Sequence, residues 1–145
     1  MHHLPRQLSV EELDELFEGH SRLTDELARR EDPLGQARAV LQELPEDASI
    51  EALNTHPRIG ESGGSEHSAE EQGSDDDPAL LGALRRLNKT YEEKFGFRFV
   101  VFVNRRPRAE ILSVLRERLQ HSREEELVTG LDELVAIALD RWQSR

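Results

Sequence analysis

The chain contains no cysteine in its 145 residues. Disulfides, thiolate metal sites and cysteine nucleophiles are therefore excluded, and a reducing compartment is compatible. Nor is there any run near the roughly 18 to 20 apolar residues that cross a bilayer. The opening MHHLPRQLSV lacks the apolar stretch of a signal peptide, so a soluble cytoplasmic protein with no membrane partner is expected. Basic charge is in deficit as well: 19 Lys and Arg against 30 Asp and Glu give a formal charge of -11. Such a surface repels a phosphate backbone unless its cations are segregated, and here they are scattered, so no nucleic-acid partner is expected. An anionic small molecule would need a local cluster of Arg or Lys. The length fits one domain, residues 1–145, that buries roughly 70% of the surface of its unfolded chain. No internal repeat is present.

What the chain does contain is helical punctuation. Ser9 and Glu12 fit a capping box, with Leu8 and Leu13 as its staple, and Val10, Leu13, Leu16 and Phe17 form one apolar face of a helix to about Gly19. Ser21 is placed to cap a second helix ending before Asp32-Pro33. Ala37, Val40, Leu41 and Leu44 mark a third that stops at Pro45, and a fourth is predicted from about Ser49. Asp77-Pro78 starts a long helix with Leu80, Leu84, Leu87, Tyr91 and Phe95 on one side and Gly96 at its end. Ile111, Leu112, Leu115 and Leu119 line another. Ser122 and Glu125 form a further capping box before the last helix, lined by Leu127, Leu131, Leu134, Ala138 and Trp142. Residues 60–77 are almost devoid of apolar side chains and read as a long loop with one helical turn, functional or disordered. The class is all-α, with one extended segment near 97–103. That segment, FRFVVFV, has strand propensity but no partner strand, so its backbone groups either pair within the core or are offered to a ligand.

Among six histidines, His56 stands apart by position. In NTHPRIGE, Pro57 biases it out of the α region, ending the helix there, and the macrodipole at a helix C-terminus favours a protonated imidazole. Gly60 clears space beside it. SAEEQ, residues 68–72, fits a capping box of Ser68 and Glu71, and a helix N-terminus there would also present free N–H groups to an anion. His56 and a glutamate converging on one ligand would form an acid–base pair. A metal site from His56, His67 and one of Glu70, Glu71 or Asp75 to Asp77 is a weaker alternative, because it lacks the helical His pair that makes such patterns specific. Ser68 as a nucleophile is weaker still, since no nucleophile elbow surrounds it.

HPRIG, SAEEQ and LNKTYEEKFGFRFVVFV, in this order and at about these separations, resemble the 2-oxo-4-hydroxy-4-carboxy-5-ureidoimidazoline (OHCU) decarboxylase family of urate breakdown. The resemblance runs from about Gly19 to Trp142. It implies an all-helical, often homodimeric enzyme that needs no cofactor and no metal and converts OHCU, a small anionic substrate, into (S)-allantoin and carbon dioxide. It also implies His56 as the catalytic acid/base, assisted by Glu71. Pro57, Ser68 and Gln72 match ligand-contacting positions, Val101, Val103 and Asn104 match backbone contacts after the Phe-Gly-Phe motif, and Arg141 matches a C-terminal arginine able to pair with a carboxylate or carbonyl.

The chain departs from that pattern in places. Many members have Pro at Arg98, Arg or Lys at Asn104 and Asn at His121, and the segments from His56 to Ser68 and from Gln72 to Asp77 are shorter here. Arg58, Arg98 and Arg105 are candidates to replace a missing positive charge. The rival functions are a related lyase or hydrolase acting on another ureido compound, and a catalytically silent helical domain that binds a partner.

Overall fold

Ser9 Oγ accepts from the Glu12 amide at 3.1 Å and Glu12 Oε1 accepts from the Ser9 amide at 3.1 Å, so the first capping box forms as the sequence predicts. In the computed structural model, which describes residues 5–59 and 77–144, it opens α1 (Val10–Leu16). The following helices are α2 (Arg22–Leu27), α3 (Pro33–Glu43), α4 (Glu46–Asn54), α5 (Pro78–Phe95), α6 (Arg108–Arg118) and α7 (Arg123–Gln143). No strand occurs among the described residues, and the fold is all-α.

The local reasons for these boundaries are mostly side chains at helix ends. Ser21 with Thr24 and Ser122 with Glu125 complete two more capping boxes. Asp77 accepts from the Ala79 amide with Pro78 at the first helical position. Gly96 ends α5 in the left-handed region at φ 82°, where a side chain would strain the backbone. One start differs from expectation. α4 begins at Glu46, not near Ser49, because Pro45 is its N-cap and its carbonyl accepts from Ala48 and Ser49. Ser49 is instead buried, with its hydroxyl donating to the Leu41 carbonyl at 3.3 Å.

α7 is the central support. It packs against α1, α3 and α4, while α2 bridges α1, α3 and α4, and α5 pairs with α6. Leucines from nearly every helix meet in one core with Phe17, Tyr91, Phe95, Phe97 and Phe99. Gly130 on α7 lets Leu53 of α4 come close, since an added Cβ would lie 3.3 Å from Leu53 Cδ2.

The segment 97–103 is extended and buried without forming a ladder. Side chains satisfy much of its backbone. Asn54 Oδ1 accepts from the Arg98 amide at 3.0 Å, Glu133 Oε1 accepts from the Phe102 amide at 3.4 Å, and Arg106 Nη2 donates to the Phe102 carbonyl at 2.7 Å. Arg118 Nη1 donates to the Val100 carbonyl at 2.7 Å. Of the two arrangements left open by the sequence, pairing within the core is met mainly by distant polar side chains, with the Arg106 amide on the Val103 carbonyl as a neighbouring backbone contact.

Candidate functional site

His56 directly follows the last turn of α4. Thr55 is the C-cap, its hydroxyl donating to the Ala52 carbonyl at 2.8 Å, and the His56 amide closes a final tight turn on the Leu53 carbonyl at 3.2 Å. Pro57 prevents further helix. The residue keeps some exposed surface, but Nδ1 is buried and has no hydrogen-bond partner among the described residues. A buried imidazole nitrogen without a partner is costly, which marks it as a position awaiting one.

The electrostatics reverse the expectation from the helix end. Burial lowers the His56 pKa to about 3, and the charges of Arg141 and then Arg98 push in the same direction. Desolvation and two cations outweigh the macrodipole of a nine-residue helix. The ring is therefore neutral at ordinary pH, and Nδ1 is left to make a hydrogen bond with a ligand.

Two arginines distant from His56 in the sequence add to the effect of burial. Arg98, in the extended segment, donates through Nη1 to the His56 carbonyl at 3.0 Å. Arg141, near the end of α7, is buried; it donates from Nη1 to the Leu16 carbonyl at 3.0 Å, and Nη2 lies 3.4 Å from Glu18 Oε1. Arg141 thus ties the end of α1 to α7 while extending positive charge toward the histidine. Beside Arg98 lies a cleft of about 230 Å³ lined by Asn54, Arg58, Glu92, Gly96, Phe97 and Arg98. Arg58 forks onto Glu92 there, at 2.7 and 3.0 Å.

Of the residues singled out from the sequence, His56, Pro57 and Arg141 lie within one neighbourhood of the described fold, with the 97–103 segment joined to it through Arg98. Val101 and Val103 are buried. Among the described residues no hydrogen bond uses the Val101 amide or carbonyl, whereas the Val103 carbonyl accepts from both the amide and Nε of Arg106. Asn104 is exposed in a turn at φ 50°. Ser68, Glu71 and Gln72 lie outside the described residues, as does the rest of 60–76. The metal alternative draws most of its ligands from there; among the described residues no three His, Asp or Glu side chains gather to hold an ion.

Sequence reasoning missed a polar network behind the extended run. Glu126, fully buried, accepts from Tyr91 Oη at 2.6 Å and from Arg118 Nε at 2.7 Å, and its other oxygen lies 2.8 Å from His121 Nδ1. The signal was hidden because Glu126 reads as one of three first-turn acids in SREEE, where exposed carboxylates complement the helix N-terminus.

Fold and site together define a class: an all-helical protein with a neutral histidine set among arginines, an arrangement suited to a small anion. Its family follows from comparison with known proteins. The family profile for OHCU decarboxylase matches residues 2–143, and the chain belongs to that family. It is 35% identical over 118 residues to a 2-oxo-4-hydroxy-4-carboxy-5-ureidoimidazoline decarboxylase of Halalkalicoccus jeotgali, covering 77% of this chain and 67% of that protein. A protein of the same description from Haloferax volcanii is 33% identical, with 94% of this chain and 88% of that one covered. A crystal structure of OHCU decarboxylase in the presence of (S)-allantoin superposes with a TM-score of 0.76 over 90% of this chain and 94% of the other, at 23% identity, a likeness of fold.

Proposed function

We propose that the protein decarboxylates OHCU to (S)-allantoin and carbon dioxide in urate catabolism, as a carboxy-lyase without a cofactor. The observation that carries this reading is the neutral, unpartnered Nδ1 of His56, placed among arginines in a chain that belongs to the OHCU decarboxylase family.

The chemistry suits such a pocket. When the bond from ring carbon 4 to the carboxylate breaks, carbon dioxide leaves and the electron pair passes into the neighbouring carbon–nitrogen double bond of the imidazoline. A proton is then added at carbon 5 and another at the ring nitrogen that received the pair, while the carbon 4 hydroxyl loses its own proton as the ring carbonyl forms, so one proton is taken up overall as carbon dioxide leaves. Charge developing in the ring is held by hydrogen-bond donors that are already in place. The neutral His56 is prepared to take the hydroxyl proton, and return of a proton to one face of the ring yields one enantiomer. Glu71 assists, while Pro57, Ser68 and Gln72, the backbone of Val101, Val103 and Asn104, and Arg141 border the substrate. These roles are supported by the family match and, for His56 and Arg141, by their proximity.

The same proposal takes the chain as one domain acting in the cytoplasm as a homodimer. The family resemblance supports the homodimer and the composition supports the location. Among the described residues no helix is long and apolar enough to cross a membrane. The test is to supply freshly generated OHCU and follow the product by circular dichroism. Enzyme-accelerated appearance of (S)-allantoin is expected, and sedimentation velocity reports the oligomeric state. Turnover of another ureido compound with OHCU untouched would replace the substrate assignment.

A further inference from the structure

Arg98 differs from the other arginines around the site. Arg58 is paired with Glu92 and Arg141 with Glu18. Deeper in the core Arg118 is paired with Glu126. Among the described residues Arg98 forms no ion pair. Its side-chain hydrogen bond among the described residues runs from Nη1 to the His56 carbonyl at 3.0 Å, and no described residue partners Nε or Nη2. The position is fixed from both ends, because Asn54 Oδ1 also accepts from the Arg98 amide at 3.0 Å. The guanidinium is half-buried and lines the cleft of about 230 Å³, so it is held in place yet open to a ligand. The two nitrogens face an open cleft, where an anion can replace water on the guanidinium fork.

We infer that Arg98 is the substrate-anchoring cation of this protein, pairing with the carboxylate of the ureido-ring substrate beside His56. This rests on the proposed decarboxylase reading and deepens it. A planar fork with two unused nitrogens suits a carboxylate better than a neutral carbonyl. The arrangement also makes the histidine answer to the ligand. Arg98 and Arg141 oppose a positive imidazole, and the arriving carboxylate offsets that field, so an anionic ring compound favours proton uptake by His56 where a neutral one does not.

The test compares two stable ring probes by calorimetric titration, anionic hydantoin-5-acetate and neutral allantoin, on wild type, Arg98→Met and Arg98→Lys. Unchanged thermal unfolding confirms that each variant is folded. Arg98→Met is expected to bind the anion about tenfold more weakly and allantoin within about twofold of wild type, with Arg98→Lys recovering part of the loss. With OHCU, Arg98→Met should raise KM by a similar factor. The inference is overturned if wild type binds the anion no better than allantoin, or if Arg98→Met weakens both probes equally or neither. Probe binding requires no turnover, so a wild type that binds the anion through Arg98 but leaves OHCU unchanged would reject the substrate assignment and keep the anchor.

Discussion

Arg118 joins the extended segment to the core by a single guanidinium: Nη1 donates to the Val100 carbonyl and Nε to Glu126 Oε1, both at 2.7 Å. Its guanidinium carbon lies 4.6 Å from the centre of the Phe99 ring. Residues 97–103 lack a partner strand because this cation, with Asn54, Glu133 and Arg106, takes the place of one.

Removing that cation should be severe. Arg118→Met leaves the buried Glu126 with only Tyr91 and His121 beside it and without the arginine charge, and breaking one side of a buried pair costs about 3–5 kcal/mol. Urea unfolding of Arg118→Met should show a loss of that size. Arg118→Met combined with Glu126→Leu should recover part of it, since the stranded charge is gone. If the double variant were less stable than the single one, the stranded charge would not be the source of the loss.

His56 makes stability depend on acid in a definite direction. Its folded pKa of about 3 lies below the ordinary value of 6.5, so between these values the unfolded chain binds a proton that the folded one refuses. The contribution is fully present above about pH 6.5 and is lost as pH falls toward 3. Urea midpoints should therefore drop less between pH 7 and pH 4.5 for His56→Asn than for wild type. His20 works in the opposite sense. Its hydrogen bond to Asp14 raises its pKa, so its contribution is present at low pH and lost as pH rises, and it cancels from the comparison. Equal slopes for the two proteins would place the imidazole in water.

Gly96 allows a purely conformational test. Among the described residues nothing beyond its chain neighbours lies within 4 Å of where its Cβ would be, and its φ is 82°. Gly96→Ala should cost about 1–2 kcal/mol through backbone strain alone. A neutral result in thermal or urea unfolding would mean that the turn after α5 can relax.

Much of the helical frame was legible because its signals are local. Ser9, Ser21 and Ser122 fall at caps, Pro78 at a first helical position and Gly96 at a left-handed end, each for a reason confined to a few neighbouring residues. The start of α4 was misplaced because a proline N-cap supplies no side-chain acceptor and looks like a terminator of α3. His56 could be chosen from its place before Pro57. Its charge state could not, because the sign depends on burial and on Arg98 and Arg141, 42 and 85 residues away along the chain. Glu126 was hidden for a related reason: nothing in SREEE distinguishes a solvated first-turn acid from one that anchors the core.

The most direct measurement is the rate and handedness of allantoin formed from freshly generated OHCU by wild type, His56→Asn and Glu71→Ala, with unfolding followed in parallel. Wild type should yield (S)-allantoin, and each variant should lose about 10²–10⁴-fold in rate while unfolding at nearly the same temperature. A His56→Asn protein that still makes (S)-allantoin at the wild-type rate would contradict a proton-handling role for this imidazole.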